Sequence, residues 1–266
     1  MPPPVIISAS RRTDIPAFFP DGFAACLTRG LVEYRNPYSG TLATASLGRG
    51  QVAAFVFWTR NPRPFFPVLR RLERAGYPSI FHVTVTGLGA ALEPSAPDPG
   101  SAVAAVRALS ELVGPRRVLW RFDPILPGEE PEALLARFEA LSAALSGYAS
   151  RCTVSLARPY RKSLRATRGT PGVWGDAGRL RDAAARIAGT ARARGFDARS
   201  CCSPLLAEWG IPPAPCVDGE YLNALYPGTG IPAVPSPSRP GCLCSASRDI
   251  GSYRTCRHGC LYCYAA

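Results

Sequence analysis

The feature that most constrains this chain is where its cysteines lie. Of ten cysteines, only Cys26 and Cys152 precede residue 200. The others (Cys201, Cys202, Cys216, Cys242, Cys244, Cys256, Cys260 and Cys263) crowd into the last quarter of the 266-residue sequence. A disulfide-stapled fold is usually shorter and exported. This chain is long enough for a core that needs no staples. Its opening, MPPPVIISAS, lacks the basic start, apolar stretch and small-residue cleavage site of a secretory signal, so a cytoplasmic location is expected. In a reducing compartment, clustered thiols point to metal or redox chemistry, which places the expected chemistry toward the C-terminal end.

Apolar residues make up 47% and charged residues 19%, which excludes a disordered chain, and no apolar run reaches the length of a membrane span. Short β-branched or aromatic runs at 5–10, 31–36, 53–59, 80–86, 118–123, 152–157 and 197–202 read as strands. Helical patterns fill about 21–29, 64–75, 101–113, 130–146 and 176–194. The fourth helix opens on Glu129-Glu130-Pro131-Glu132, acid and proline in the first turn, and stops near Gly147. Strands alternating with helices imply parallel pairing. The expected fold class is therefore α/β, a TIM-type (β/α) barrel over residues 1–203, whether closed, incomplete or permuted. Residues 204–266 read as a Pro- and Cys-rich extension packed on that barrel: prolines interrupt 211–240, and the tail from Gly241 has almost no helical periodicity.

In such a barrel, chemistry belongs at the C-terminal ends of the strands. Those ends carry Ser10-Arg11-Arg12-Thr13-Asp14, Arg35-Asn36-Pro37, Trp58-Thr59-Arg60-Asn61-Pro62, Thr84 with Thr86, and Arg121 with Asp123-Pro124. Arg12, Asp14, Arg121 and Asp123 are the candidate catalytic groups. The alternative is that Arg12–Asp14 and Arg121–Asp123 are ion pairs that tie loops together.

The last three cysteines, Cys256, Cys260 and Cys263, are spaced C-x3-C-x2-C. A tight loop of this kind directs three thiolates at one face of an iron–sulfur cube, and soft thiolates suit iron–sulfur clusters or zinc. Three ligands on a four-iron cluster leave one iron open to a chelating small molecule, and this spacing is the one used by radical S-adenosylmethionine enzymes. Tyr262 and Tyr264 are placed to shield the cluster. His258, inside the loop, is expected to bond a cluster sulfur or a loop carbonyl.

The whole tail, C-x-C-x-x-S-x-D-I-G-x-Y-x-T-C-x-H-G-C-x-Y-C-Y-A from Cys242, resembles the domain-of-unknown-function 1848 family. So do the opening Ile7-Ser-Ala-Ser-Arg-Arg-Thr-Asp-Ile-Pro-Ala-Phe18, the segment Phe57-Trp58-Thr59-Arg60-Asn61-Pro62, and Trp120-Arg121-Phe122-Asp123-Pro124. That resemblance brings no settled activity. Over about a dozen residues, the Cys-rich end is also similar to the cluster loop of spore photoproduct lyase-type radical enzymes. What this implies is a 4Fe–4S cluster, S-adenosylmethionine as cofactor, and a 5′-deoxyadenosyl radical acting on an unidentified substrate. The loop of such enzymes normally follows the first barrel strand, so a barrel built here would be permuted, with the tail folded back over the strand ends. The sequence has no Gly-Gly pair to contact the methionine amino group. Thr59, Thr84 or Asp123 is expected to take that role, with His258 and Tyr262 also at the cofactor.

One of Cys201 and Cys202, with Cys216, Cys242 and Cys244, makes a second set of four thiolates. A fully ligated auxiliary 4Fe–4S cluster, a four-thiolate zinc site and no metal at all are open readings. Cys26, on the apolar face of the first helix, and Cys152, at a strand start, read as packing residues. His82 reads as core. Asp249 is expected to anchor the tail to Arg11 or Arg12.

The charge is less informative. Lys+Arg 31 against Asp+Glu 19 gives +12, but Lys162 is the one lysine, and abundant Ala, Gly and Pro indicate codon bias. One basic cluster stands out, Arg158, Arg161, Lys162, Arg165 and Arg168, either a solvated face or a surface for an anionic substrate or nucleic acid. The leading functional reading is a radical S-adenosylmethionine enzyme served by a reductant such as flavodoxin or ferredoxin. The alternatives are a non-enzymatic iron–sulfur electron carrier or redox sensor and, more weakly supported, a zinc-stabilised nucleic-acid-binding protein. No membrane partner is expected.

Overall fold

The computed structural model describes residues 3–37 and 39–265. In chain order the strands are β1 (Val5–Ala9), β2 (Leu31–Arg35), β3 (Leu42–Ser46), β4 (Val52–Thr59), β5 (Ser79–Thr84), β6 (Val118–Ile125), β7 (Arg151–Leu156), β8 (Asp197–Ser200) and β9 (Ser247–Asp249). The helices are α1 (Ile15–Phe18), α2 (Pro20–Arg29), α3 (Phe66–Arg74), α4 (Pro99–Val113), α5 (Pro131–Leu145), α6 (Arg161–Ala166), α7 (Arg181–Ala193), α8 (Pro204–Glu208) and α9 (Gly219–Leu225). No helix among the described residues is long and apolar enough to cross a membrane.

Seven strands form one parallel sheet in the order β8-β7-β6-β5-β4-β1-β9. The fold is α/β as expected, but the ladders build an open sheet with β8 and β9 at its edges. No ladder joins those edges among the described residues, so the sheet does not close into a hydrogen-bonded barrel.

Period-two alternation sorts the sheet's side chains into two apolar layers. Phe55, Phe57, Phe81, Val83, Trp120 and Phe122 pack with buried side chains of α2, α3, α4, α5 and α7. Ile6, Ala54, Val56, Ile80 and Leu119 take the opposite face and pack with Val217, Leu222 and Ile231 of the C-terminal extension. A parallel sheet covered on both faces reads in sequence as continuous apolar runs, which is why 53–59 was legible. Helix ends follow the usual chemistry. Asp98 caps α4 by accepting from Ser101 N, with Pro99 in the first turn, and α2 stops at Gly30 in the left-handed region.

Three expectations are corrected. The run 31–36 is not a strand of the main sheet: β2 pairs antiparallel with β3 in a separate two-stranded ribbon. The extension is more ordered than its prolines suggest, because it contributes α9 and, from the tail, β9. It is also not merely laid on the sheet, since Ser247–Asp249 pairs in register with Ile6–Ser8 of β1.

Helix α9 closes the end of the sheet where the strands begin. Tyr226 Oη donates to Ser79 O at 2.9 Å, Tyr221 Oη donates to Arg116 O at 2.6 Å, and Arg151 Nη1 reaches Asp218 at 3.1 Å. A Cβ at Gly219, the first residue of α9, would lie 2.5 Å from the Pro232 carbonyl oxygen and 2.6 Å from Ala233 Cα. Gly219→Ala is therefore expected to destabilise the fold by about 1–3 kcal/mol through overpacking. Urea unfolding under reducing, anaerobic conditions reads this, and an unchanged midpoint would show that the 231–233 segment yields freely.

Candidate metal and cofactor cavity

A cavity of about 820 Å³ opens where the strands end. The ends of β1, β4, β5, β6 and β7, the Cys201-Cys202 turn after β8, and Asp249 of β9 all border it. Every residue singled out above as catalytic, cofactor-binding or metal-ligating borders it as well, and so does Cys202. Arg35 and Asn36 were expected at a barrel strand's end. The β2–β3 ribbon nevertheless delivers Asn36 and Pro37 to the cavity wall, and Arg35 O accepts from Arg12 Nη1 at 3.1 Å.

The tail is fastened over this cavity by Asp249. Its carboxylate accepts from Ser8 Oγ (2.9 Å), Ser10 Oγ (2.6 Å), Arg11 N (2.8 Å), Arg12 Nε (3.0 Å) and Gly251 N (3.2 Å). Arg12 Nη2 also donates to Asp249 O at 2.8 Å. Arg12 therefore pairs with Asp249 rather than with Asp14. Burial opposes the charge, but the Ser10 hydroxyl, the Arg11 N–H and the two arginines hold the Asp249 carboxyl below the usual carboxylate range.

The cluster loop is locked against the segment after β5. Ser95 N donates to His258 O at 3.1 Å, and Leu261 N donates to Leu92 O at 2.9 Å. His258 stands with Nδ1 3.1 Å from Ser95 O and Nε2 2.8 Å from Asp14 Oδ2. Asp14 also accepts from Ala17 N, capping α1, and from Arg60 N. Asp14 thus holds the cluster loop, the first helix and the end of β4 together, and His258 bonds a carbonyl and a carboxylate. Tyr262 hydrogen-bonds to Glu93. Arg60 Nη2 donates to Tyr262 Oη at 2.6 Å and pairs with Glu93 at 2.9 Å, and Thr86 Oγ1 donates to Glu93 at 2.6 Å. Burial raises the Tyr262 hydroxyl well above its ordinary value, and burial pushes the free Cys260 thiol up to about 12. Such a thiol gives up its proton together with metal binding. Glu93 was invisible in the sequence, because nothing near it in the chain announces that Tyr262 would reach it.

The remaining clustered thiols border the same cavity. Cys201 Sγ lies 3.9 Å from Cys202 Sγ and 3.2 Å from Cys216 Sγ, Cys244 Sγ accepts from Val217 N at 3.4 Å, and Cys242 Sγ accepts from Ser238 Oγ at 3.6 Å. Arg121 Nη1 donates to Cys216 Sγ at 3.2 Å, and Arg239 Nη2 approaches Cys201 Sγ at 3.9 Å. The Arg121–Asp123 pair does form, with Ser155 on the other carboxylate oxygen. All ten cysteines are free, and among the described residues no three His, Cys, Asp or Glu side chains converge as the shell of a single ion. Thr59 Oγ1 accepts from Asn61 N at 3.0 Å, while Thr84 borders both this cavity and a smaller one of about 140 Å³ behind Arg60 and Glu93.

Of the residues set aside, Cys152 is buried packing, and Cys26 is half-buried at the core's edge, with Arg29 Nη2 3.3 Å from its sulfur. His82 is core. It stacks on Trp58 at 4.3 Å and donates from Nε2 to Cys216 O at 2.8 Å, and burial followed by Arg121 holds it well below its ordinary value, hence neutral.

A family model described as "Domain of unknown function (DUF1848)" matches residues 6–265. No curated protein and no solved structure matches the chain.

Asp249→Asn removes the charge that Arg11 and Arg12 face and is expected to cost about 3–5 kcal/mol at neutral pH. Because folding depresses this carboxyl, its contribution is complete above the unfolded value near pH 4 and fades as the pH falls through the lower folded value. The gap between wild type and variant should therefore close below about pH 4. Chemical denaturation across pH measures it, and a loss under about 1 kcal/mol at pH 7 would mean that the tail is held by something else.

Proposed function

Since the chain belongs to the DUF1848 family, whose description assigns no activity, we propose from its site that it is an iron–sulfur enzyme of the radical S-adenosylmethionine type. In this reading Cys256, Cys260 and Cys263 hold a 4Fe–4S cluster. The observation that carries it is that these three thiols, on a loop of C-x3-C-x2-C spacing, border one roomy cavity at the ends of the sheet strands. The donor set fits the group, being three soft sulfurs with no disulfide among them. A cluster held by three thiolates keeps one iron open to a chelating molecule and, when reduced, supplies the electron that cleaves S-adenosylmethionine.

The chain's own residues bind, orient and exclude water. Asp14 and His258 fix the loop, and the Tyr262–Glu93–Arg60 group seals its inner side. Thr59, Thr84 and Asp123 border the space where a cofactor would lie. Arg12 and Arg121 are each committed to a carboxylate, so their role is to orient Asp249 and Asp123 rather than to move a proton. Arg158 and Arg248 border the cavity without an ion pair among the described residues, which favours an anionic substrate. We also read the open sheet as an incomplete barrel, because a single cavity meets the C-terminal ends of all seven strands, both edges included. Ten free cysteines suit a reducing, cytoplasmic compartment.

Anaerobically reconstituted protein given dithionite and S-adenosylmethionine is expected to yield 5′-deoxyadenosine and methionine, and Cys260→Ala to reduce both to background. An intact cluster that forms neither product, with an EPR spectrum unmoved by S-adenosylmethionine, would replace this reading with that of a non-enzymatic electron carrier or redox sensor.

A further inference from the structure

The cavity at the strand ends holds more positive charge than its own acids answer. Among the described residues, seven arginines border it against three aspartates. Arg11 and Arg12 share Asp249, and Arg121 pairs with Asp123. Arg60 pairs with Glu93, which borders the smaller cavity, and Asp14 is bonded to His258. Arg158, Arg239 and Arg248 are left without an ion pair among the described residues.

Two of these three converge. Arg158 follows β7, and its Nη2 donates to Cys202 O at 3.0 Å. Arg239 comes from the proline-rich segment, is half-buried, and brings Nη2 to 3.9 Å from Cys201 Sγ. Both guanidinium groups are thus braced on the same two-residue turn after β8. Arg248 stands apart, its Nη1 reaching Thr44 O of β3 at 3.4 Å. From this convergence we propose that Arg158 and Arg239 form a seat for a phosphoryl group, so that the molecule this cavity takes is an organic phosphate. The inference rests on the reading above of the cavity as the place where substrate binds, and it names the class of that substrate.

Bringing two like charges to one turn costs free energy, and half-burying one of them adds to the cost, unless an anion answers them. Among the described residues no carboxylate does so. One terminal nitrogen of each arginine is committed to the turn, and the other N–H groups of both have no partner among the described residues. Each side chain is therefore ordered in advance, with most of its planar fork free for an oxyanion. A carboxylate carries a single charge and answers one of the two arginines. A phosphate monoester carries about −1.5 to −2 at neutral pH, with three acceptor oxygens, and answers both.

The adjoining wall suits the organic part. Tyr160, two residues beyond Arg158, and Tyr264 border the cavity with exposed rings 6.0 Å apart. Tyr264 is fixed there by its Oη, which donates to Arg11 O at 2.7 Å. The two rings offer apolar faces close to the seat.

Calorimetric titration of the anaerobically reconstituted full chain with phenyl phosphate, inorganic phosphate and benzoate, at low ionic strength, tests the seat. Phenyl phosphate is expected to bind, and Arg158→Ala and Arg239→Ala each to weaken it about tenfold or more, because each removes a charged hydrogen-bond donor. Arg70→Ala, an equal loss of charge at an exposed position of α3 outside the cavity wall, is expected to leave binding unchanged. Absence of phenyl phosphate binding, undiminished binding by the folded arginine variants, or an equal loss in Arg70→Ala would overturn the seat. Benzoate bound as tightly as phenyl phosphate would overturn the phosphoryl assignment, and that comparison uses the native chain alone. Equal affinity for inorganic and phenyl phosphate would remove the tyrosine wall. If the arginine variants keep phenyl phosphate but abolish the change that S-adenosylmethionine makes in the cluster's EPR spectrum, these arginines serve the cofactor and the seat is overturned. Phenyl phosphate bound by a chain that forms no 5′-deoxyadenosine would sink the radical reading alone, and cleavage without phosphate binding would sink the seat alone.

Discussion

The buried carboxylate of Asp249 is the interaction on which the arrangement of this molecule depends. It gathers donors from the end of β1 and from its own turn, and so fixes the last strand beside the first. In sequence it lies between the two cysteine groups, with Cys242 and Cys244 before it and Cys256, Cys260 and Cys263 after it. One anchored residue therefore bears on the position of the tail loop and of two of the other thiols, Cys242 and Cys244. A charge so deeply placed is tolerable only because it is answered by two arginines and several hydrogen bonds. The approach is close enough that a Cβ at Gly251 would overlap the Ser10 hydroxyl, 2.0 Å away. Glycine there is a requirement of the contact.

The sheet's two faces explain why the cavity lies where it does. Helices cover one face, and the extension covers the other and closes the strands' starting end through α9. What remains open is the end where the strands finish, and there the tail returns with its thiols. The prolines of 211–240 suit a segment that must follow an irregular path between these two ends, since proline restricts the chain without requiring a ladder partner.

Most elements of this fold were legible, and those that were not share a physical reason. The run Val52–Thr59 is buried almost throughout, as a parallel strand covered on both faces must be. Leu31–Arg35 alternates exposed and covered positions, the mark of a half-buried strand, so its own pattern argued against the main sheet. Ser247–Asp249 offered no apolar signal, because it is held by Asp249's polar bonds rather than by packing. The cysteine loop was readable because its spacing is local. Glu93 and Arg239 were not, because each depends on a contact between segments far apart in the chain.

The net charge of +12 shows the same contrast between composition and placement. Arginines buried about the cavity are matched: Arg12 by Asp249, Arg60 by Glu93, Arg121 by Asp123. Those of helix α6 and its flanks remain at the surface, where water screens them. The total therefore says little about the site. What matters there is which charges stand nearest each sulfur. By the tail loop, Arg60 stands against Glu93 next to Cys260, and Asp14 stands against His258. By the other thiols, Arg121 donates to Cys216 while paired with Asp123, and Arg239 approaches Cys201. Each thiol group thus faces the cavity beside an arginine, and in both places a carboxylate answers one of them.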